Sequence, residues 1–158
     1  MKLLKPYLKS TVLAMNSNNS FTKEIKMNQE SLKSTIEKLY KDILINLDVE
    51  KINMYFAPSY IQTTDHHTSD INEFTDHLKK LKEVVARLSI NEFKTMLIDE
   101  SQNTIFLRYD VNVEKKDGFK GKVEVYAEFV FNEDGKVISC NELTQPYSEE
   151  LNGIGSVK

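Results

Sequence analysis

The spacing of apolar residues changes near position 90, and this change constrains the fold more than any other feature of the chain. Before it, apolar residues recur every three or four positions, which is the period of an amphipathic helix. After it, they alternate with polar residues, which is the period of a strand with one buried face. Because no helical pattern separates the later strands, we expect an α+β fold with an antiparallel sheet.

Three helices are predicted in the first half of the chain. The first covers residues 29–47, and a short second helix follows with Asp48 as its N-cap. The third covers residues 71–88, where Asp70 and Glu73 have the spacing of a capping box. Apolar positions recur in steps of three and four along this third segment, so it carries the clearest helical pattern in the chain.

Four strands are predicted from the alternating pattern, over residues 59–64, 105–113, 123–131 and 136–145. The first of them is short and precedes the third helix. The last two are joined by a turn that contains Gly135, a residue type that readily takes a positive φ. The three later strands are therefore expected to pair as antiparallel neighbours.

The composition indicates one globular domain. A length of 158 residues suffices for a core, and contents of 40% apolar and 28% charged residues are ordinary. The net charge of −3 gives no reason to expect nucleic-acid binding, and no apolar run is long enough to span a bilayer. The single Cys140 cannot form an internal disulfide, so it fits a reducing compartment, and we expect a cytoplasmic protein.

Charge and patterning divide the chain into three regions. Residues 1–28 are expected to form a flexible basic extension, since positions 1–26 hold five lysines and one glutamate, a net charge of +4. Residues 29–146 are expected to form the folded domain, and residues 147–158 a loose tail. One functional hypothesis is that the basic extension binds an acidic partner.

Three stretches of the chain carry a resemblance to a known family. They are the spacing from Tyr40 to Asp48, the segment 55–62 and the segment 129–138. Together they resemble the nuclear transport factor 2-like superfamily, in particular its SnoaL-like and ketosteroid-isomerase-like branches. The resemblance implies a cone-shaped curved antiparallel sheet wrapped around N-terminal helices, with a small-molecule pocket inside the cone. It also implies a homodimer that pairs through the sheet.

Tyr40 is the first candidate catalytic residue. By the resemblance it stands where the isomerase tyrosine donates a hydrogen bond to a developing oxyanion, although it could equally be a core tyrosine bonded to a backbone carbonyl. The general-base aspartate of the isomerase corresponds to Thr64 and its second acid to Ala127, and neither residue can take those roles. A shift of one residue at the strand end would bring Asp65 or His66 into the cone instead.

Glu142 is the second candidate. Aligning the last hairpin on its turn puts Cys140, Glu142 and Thr144 on the cavity side of the final strand. A carboxyl group there would have a raised pKa and could act as an acid or a base, and SnoaL-like cyclases use an acidic residue near this strand. A register different by one residue would turn Asn141 and Leu143 inwards and send Glu142 to solvent.

Further residues are expected to contact a ligand without reacting. By strand alternation and by the resemblance they are Tyr60, Gln62, Thr64, Tyr109, Ala127 and Cys140. The adjacent Asp65, His66 and His67 lack the spacing of a metal site, so no metal is expected. No cofactor is expected either.

Besides a basic extension that binds an acidic partner, three functions remain open for the folded domain. One is a protein that binds a small, partly apolar carbonyl compound. Another is an enzyme of cyclase, isomerase or dehydratase type, in which Tyr40 donates to an oxyanion and Glu142, Asp65 or His66 moves the proton. The third is a non-catalytic dimerisation or interaction module, because the superfamily includes members without any chemistry.

Overall fold

The first helical segment carries a widened turn. The computed structural model describes residues 26–156, so most of the expected basic extension lies outside the described residues. α1 (Gln29–Leu39) begins at Asn28, whose side chain accepts a hydrogen bond from the Ser31 backbone N–H at 2.8 Å. The helix then continues as a π-helical segment, Tyr40–Ile45. The helix predicted to residue 47 is therefore present, but its second part winds more loosely.

The rest of the described chain contains two further α-helices and seven strands. A 3₁₀ turn (Val49–Lys51) leads into them, and two more (Glu149–Leu151 and Ile154–Ser156) follow the last strand. In chain order the main elements are α2 (Ile52–Tyr55), β1 (Phe56–Thr64), β2 (His67–Asp70), α3 (Ile71–Val84), β3 (Val85–Ser89), β4 (Phe93–Asp99), β5 (Thr104–Lys115), β6 (Lys120–Phe131) and β7 (Val137–Pro146). Within residues 26–156, no helix has both the length and the apolarity that crossing a membrane requires.

The strands form one curved, unclosed sheet with the order β2-β1-β7-β6-β5-β3, and β4 pairs with the other end of β5. The α+β, cone-like architecture is as expected. The sheet is mixed, however, because β1 pairs with β7 in parallel, whereas an antiparallel sheet was predicted. Strands β2, β3 and β4 were not predicted, and α3 separates β2 from β3 along the chain.

The end of α3 differs from the prediction. The helix was expected to reach residue 88 but stops at Val84, and the chain continues as β3. Val85 and Leu88 are buried there and pair with Lys115 and Val113 of β5. Both apolar residues fit the period of a helix as well as that of a strand. The pairing with β5 therefore decides that this segment is a strand.

The core lies between the helices and the inner face of the sheet. From the first helix it contains Leu32, Ile36 and Leu39, which are fully buried. Every second residue of the long strands joins it, including Leu107 of β5 and Phe129 of β6. Burying side chains of this size stabilises the fold by about 1.5–3 kcal/mol each. This burial keeps the helices packed against the concave face of the sheet.

The segment after β7 is packed rather than loose. Leu151 is only 1% exposed, and a Cβ atom built at Gly121 would lie 2.8 Å from its Cδ1 atom. The Leu151 side chain therefore packs directly over Gly121, and this contact anchors the segment to β6. The tail predicted over 147–158 therefore packs on the domain as far as it is described, to residue 156.

The capping box of α3 gives a test of this fold. The Asp70 side chain accepts hydrogen bonds from the backbone N–H groups of Asn72 and Glu73, at 2.8 and 2.9 Å. Asp70→Ala should lower the free energy of unfolding by about 1 kcal/mol, as measured by urea denaturation. Asp76→Ala, on an exposed face of the same helix, should leave it nearly unchanged. Equal losses in the two variants would contradict the capping role.

Candidate functional site

A cavity of about 110 Å³ lies between the helices and the inner face of the sheet. Its wall is mostly apolar, with contributions from the π-helical segment, α3, five strands and the segment after β7. The polar side chains in the wall are Tyr60, Gln62, His77, Tyr109, Glu142 and Thr144. A small set of polar groups in an apolar wall is the usual composition of a small-molecule site.

Glu142 is the carboxylate of this cavity, and the parallel pairing of β1 with β7 supplies its hydrogen-bond donors. Residues Thr64 and Glu142 are register partners. The Thr64 hydroxyl donates to Glu142 Oε1 at 2.7 Å, and Gln62 Nε2 donates to the same oxygen at 3.1 Å. Gln62 Nε2 also donates to Thr64 Oγ1 at 2.8 Å. Two side chains of β1 therefore converge on one carboxylate oxygen of β7.

Tyr60 completes this network. Its hydroxyl donates to Gln62 Oε1 at 2.8 Å. Because the amide oxygen is occupied in this way, the amide NH₂ group of Gln62 faces Thr64 and Glu142 as a donor. Tyr60 is only 1% exposed, and its ring lies edge-on to Phe56 and Phe74. The orientation of Gln62 is therefore set by a side chain that is itself held by packing.

The environment of Glu142 shifts its ionisation. Burial raises the pKa of the Glu142 carboxyl to about 7, and the nearby Asp65 carboxylate also raises it. The hydrogen bonds from Thr64 and Gln62 act in the opposite direction, because they stabilise the charged form. The carboxyl group can therefore gain or lose a proton near neutral pH, which is the property that a general acid or base needs.

Two tyrosines form a pair beside the cavity. Tyr109 lines the cavity, whereas Tyr40 stands behind it and its hydroxyl donates to the Tyr109 hydroxyl at 2.9 Å. The Tyr40 ring makes edge contacts with Phe93 and Phe129, with centroids 5.0 and 5.8 Å away. Burial holds the pKa values of both phenols well above the ordinary range, so both stay protonated and can donate. The structure thus brings Tyr40 to the cavity only through Tyr109.

Asp65 and His66 lie outside the cavity. They form the turn between β1 and β2, where both take positive φ values of 49° and 67°. Asp65 accepts hydrogen bonds from the Thr144 backbone N–H at 2.7 Å and from the Thr144 hydroxyl. The shift of one residue that would turn them into the cone does not occur, and Asp65 instead fastens the end of β1 to β7.

The remaining candidates are placed as follows. Ala127 is fully buried on β6 between Leu107 and Glu142, its register partners. Cys140 lines the cavity, and burial raises its thiol pKa well above the ordinary value, so it is a weak nucleophile. Within residues 26–156, His, Cys, Asp and Glu side chains do not gather in groups of three suited to a metal ion.

Two wall residues were missed because they follow β7. Ile154 and Gly155 line the cavity from the segment that was predicted to be loose. The apolar pair Leu151 and Ile154, three residues apart near the end of the chain, is the only sequence signal that pointed to packing there. The cavity is thus closed partly by residues outside the expected domain of 29–146.

No known protein-family profile matches the chain. The uncharacterised protein C11D3.04c of Schizosaccharomyces pombe is 27% identical over 119 residues, which are 75% of this chain and 88% of that protein. Among solved structures, the BvnE pinacolase of Penicillium brevicompactum superposes with a TM-score of 0.66 at 11% identity, covering 74% of this chain and 84% of its own. An NTF2-like protein of unknown function from Burkholderia pseudomallei does so with a TM-score of 0.60 at 12% identity, covering 73% and 90%. These similarities show the fold.

The raised pKa of Glu142 predicts a pH-dependent stability. Between the ordinary value of 4.5 and about 7, the folded state holds a proton that the unfolded state has released. The stability that Glu142 contributes by holding this proton is therefore complete below pH 4.5 and is lost as the pH rises through 7. The loss is at most about 3 kcal/mol, and it is smaller than that because the Glu142 side chain is partly exposed. Urea denaturation at about pH 5 and about pH 8 should show this fall in the wild type.

Glu142→Gln should remove the fall, because the amide has the same shape and does not titrate. Glu128→Gln is the matched control, since this residue lies on the exposed face of the adjacent strand β6. It should retain the wild-type pH dependence. A Glu142→Gln variant whose stability still falls in parallel with the wild type would place the carboxyl pKa at its ordinary value.

Proposed function

From the nuclear transport factor 2-like fold of this chain, we propose that its cavity binds a small, partly apolar carbonyl compound and moves a proton on it. The observation that carries the proposal is a carboxyl group with a pKa of about 7 in the same apolar cavity as a phenol donor. A base and a hydrogen-bond donor facing one small cavity are the two groups that enolisation of a carbonyl compound requires.

In this proposal Glu142 is the general base. Its ionised carboxylate takes a proton from the carbon next to the carbonyl group, and the electron pair of the broken C–H bond moves into the C–C–O system to form an enolate. Returning the proton to the same or another carbon completes an isomerisation. The pKa of about 7 suits both directions of transfer, because the group is neither fully charged nor fully neutral near neutral pH.

Tyr109 is the donor to the developing oxyanion, and Tyr40 supports it. Since Tyr109 accepts a hydrogen bond from Tyr40, its own proton is available to the cavity. The first of two hydrogen bonds in series polarises the second, so a Tyr109 that accepts from Tyr40 is a better donor than an isolated phenol. Asp65 and His66 are less well supported as proton carriers, because both lie on an exposed turn.

The proposal does not rest on the neighbouring structures. BvnE is named a pinacolase, so this fold holds an enzyme in at least one protein, but 11% identity carries no residue roles to this chain. The network of Tyr60, Gln62, Thr64 and Glu142 is what favours catalysis over simple binding. Side chains that only contact an apolar ligand would not need to hold a carboxylate in place with two donors.

Exchange of the α-hydrogens of small ketones in D₂O, followed by NMR, tests the enzyme. The wild type should accelerate exchange, and Glu142→Gln should slow it by about 10²–10⁴-fold, because the base is lost. Tyr109→Phe should slow it by about 10²–10³-fold, and Glu128→Gln should have no effect. If ketones bind without exchange, the protein is a non-catalytic binding protein and not an enzyme. If ketones neither bind nor exchange, the proposal is refuted.

We also propose a homodimer that pairs through the outer face of the sheet. Three large apolar side chains are exposed there: Leu97 at 62%, Leu143 at 54% and Tyr126 at 37%. Tyr126 and Leu143 are register partners on β6 and β7, and the Arg108 guanidinium lies over the Tyr126 ring at 5.5 Å. Adjacent exposed apolar side chains of this kind favour association, which for a stable dimer buries about 1,600 Å² in total.

Leu143→Glu should convert the dimer to a monomer in sedimentation velocity experiments, because it places two carboxylates in the apolar centre of the interface. Met54→Glu is the matched control, since Met54 is also exposed, at 65%, but lies on α2 and not on the sheet. It should leave the dimer intact. A wild-type protein that sediments as a monomer at micromolar concentration would contradict the proposal.

A further inference from the structure

A second, larger hollow adjoins the cavity. It measures about 290 Å³ and lies between α3 and the β1–β2 hairpin. The two spaces have four wall residues in common: Gln62, Phe74, His77 and Gly155. A ligand with one part in the cavity and another in this outer groove would pass these four residues.

The size of the inner cavity makes such a two-part ligand reasonable. A protein cavity of about 150 Å³ holds one benzene molecule. The 110 Å³ here accommodates a smaller fragment, so a carbonyl group and a few carbon atoms would fill it. A metabolite with more atoms than that has to extend into the groove.

The groove differs from the cavity in its chemistry. Its wall contains Thr64, His67 and Ser69 from the hairpin, and Glu73, Asp76 and Lys80 from one face of α3. Two of the three charged α3 side chains in the groove wall already have partners. Glu73 Oε2 accepts from the Asp70 backbone N–H at 3.0 Å, and Asp76 pairs with Lys79 at 3.2 Å.

Lys80 is the charge that is not engaged. Among the described residues 26–156, its ammonium group makes no hydrogen bond or ion pair. The His67 imidazole and the Ser69 hydroxyl line the same groove and can also donate. A cation and two further donors around one space are suited to an anionic group with several acceptor oxygens.

We propose that the ligand is an anionic oxo-compound, whose carbonyl end enters the cavity and whose carboxylate lies in the groove against Lys80. This inference rests on the proposed function, because the cavity end of the ligand is the carbonyl group on which Glu142 acts. Glu142 lines only the cavity and Lys80 lines only the groove, so the ligand carboxylate and the Glu142 carboxylate lie in different spaces.

Two series of ligands test the proposal by ligand-observed NMR titration. The first contains 4-oxopentanoate, 5-oxohexanoate and 6-oxoheptanoate, and the second contains the corresponding neutral amides. Each pair has nearly the same shape and differs in charge. For the acid of the three whose length fits both spaces, binding to the wild type should be at least about tenfold tighter than binding of its amide. A tenfold difference is the effect expected of one well-placed charge contact.

Lys80→Gln should abolish this preference, while Lys38→Gln should retain it. Lys38 is the matched control, because it is an exposed lysine on α1 and lines neither the cavity nor the groove. Equal binding of acids and amides by the wild type would overturn the anionic ligand and leave the proposed carbonyl site standing. An equal effect of the two lysine substitutions would also overturn it, since only net charge would then matter. Failure of both series to bind would refute the proposed function itself.

Discussion

The parallel pairing of β1 with β7 is the constraint on which the candidate site depends. It aligns residues almost 80 positions apart, so that Thr64 lies beside Glu142 and Gln62 beside Cys140. The pairing continues one residue beyond the strand, where the Asp65 backbone N–H donates to the Glu142 carbonyl oxygen at 3.0 Å. Without this alignment the carboxylate would be buried without donors, at a cost of several kcal/mol, and the group would simply stay protonated.

The ionisation state of Glu142 follows from opposing effects, of which burial is the largest. Burial and the Asp65 carboxylate favour the neutral form, whereas the donors Thr64 and Gln62 favour the charged form. Burial is the largest of these effects, so the pKa rises to about 7 although the two donors oppose the rise. Asp65 therefore has two effects from outside the cavity, because it holds the strand end through Thr144 and raises the pKa of Glu142.

The parts of this structure that local patterns determine could be predicted from the sequence. The stripe of α1 and the capping box of α3 depend on residues within one or two helical turns, and both are found where the pattern indicated. The parallel β1–β7 pairing could not be predicted, since its register is set by partners distant in sequence. The ambiguity at Val85 and Leu88 has the same origin, because only the pairing with β5 distinguishes a strand from more helix.

Alternation could place Glu142 on one face of β7, but it could not supply the neighbours that set its ionisation. The role of Tyr40 shows the same limit. Its position on the helical stripe indicated burial, and only the tertiary structure shows that Tyr109 stands between it and the cavity. The π-helical segment that begins at Tyr40 is also set by packing, since no local residue pattern required it.

The spacing of Tyr109 and Glu142 follows from the sheet. Tyr109 on β5 and Glu142 on β7 flank β6, so their strands are about 10 Å apart. On β6 between them lie Val125 and Ala127, the register partners of Tyr109 and Glu142 respectively. Of these two, Val125 lines the cavity and Ala127 does not. Alanine at position 127, where the ketosteroid isomerase pattern has an acid, therefore supplies neither a hydrogen-bond donor nor a contact to the cavity. The polar groups that the long strands bring to this part of the wall are Tyr109 from β5 and Glu142 and Thr144 from β7.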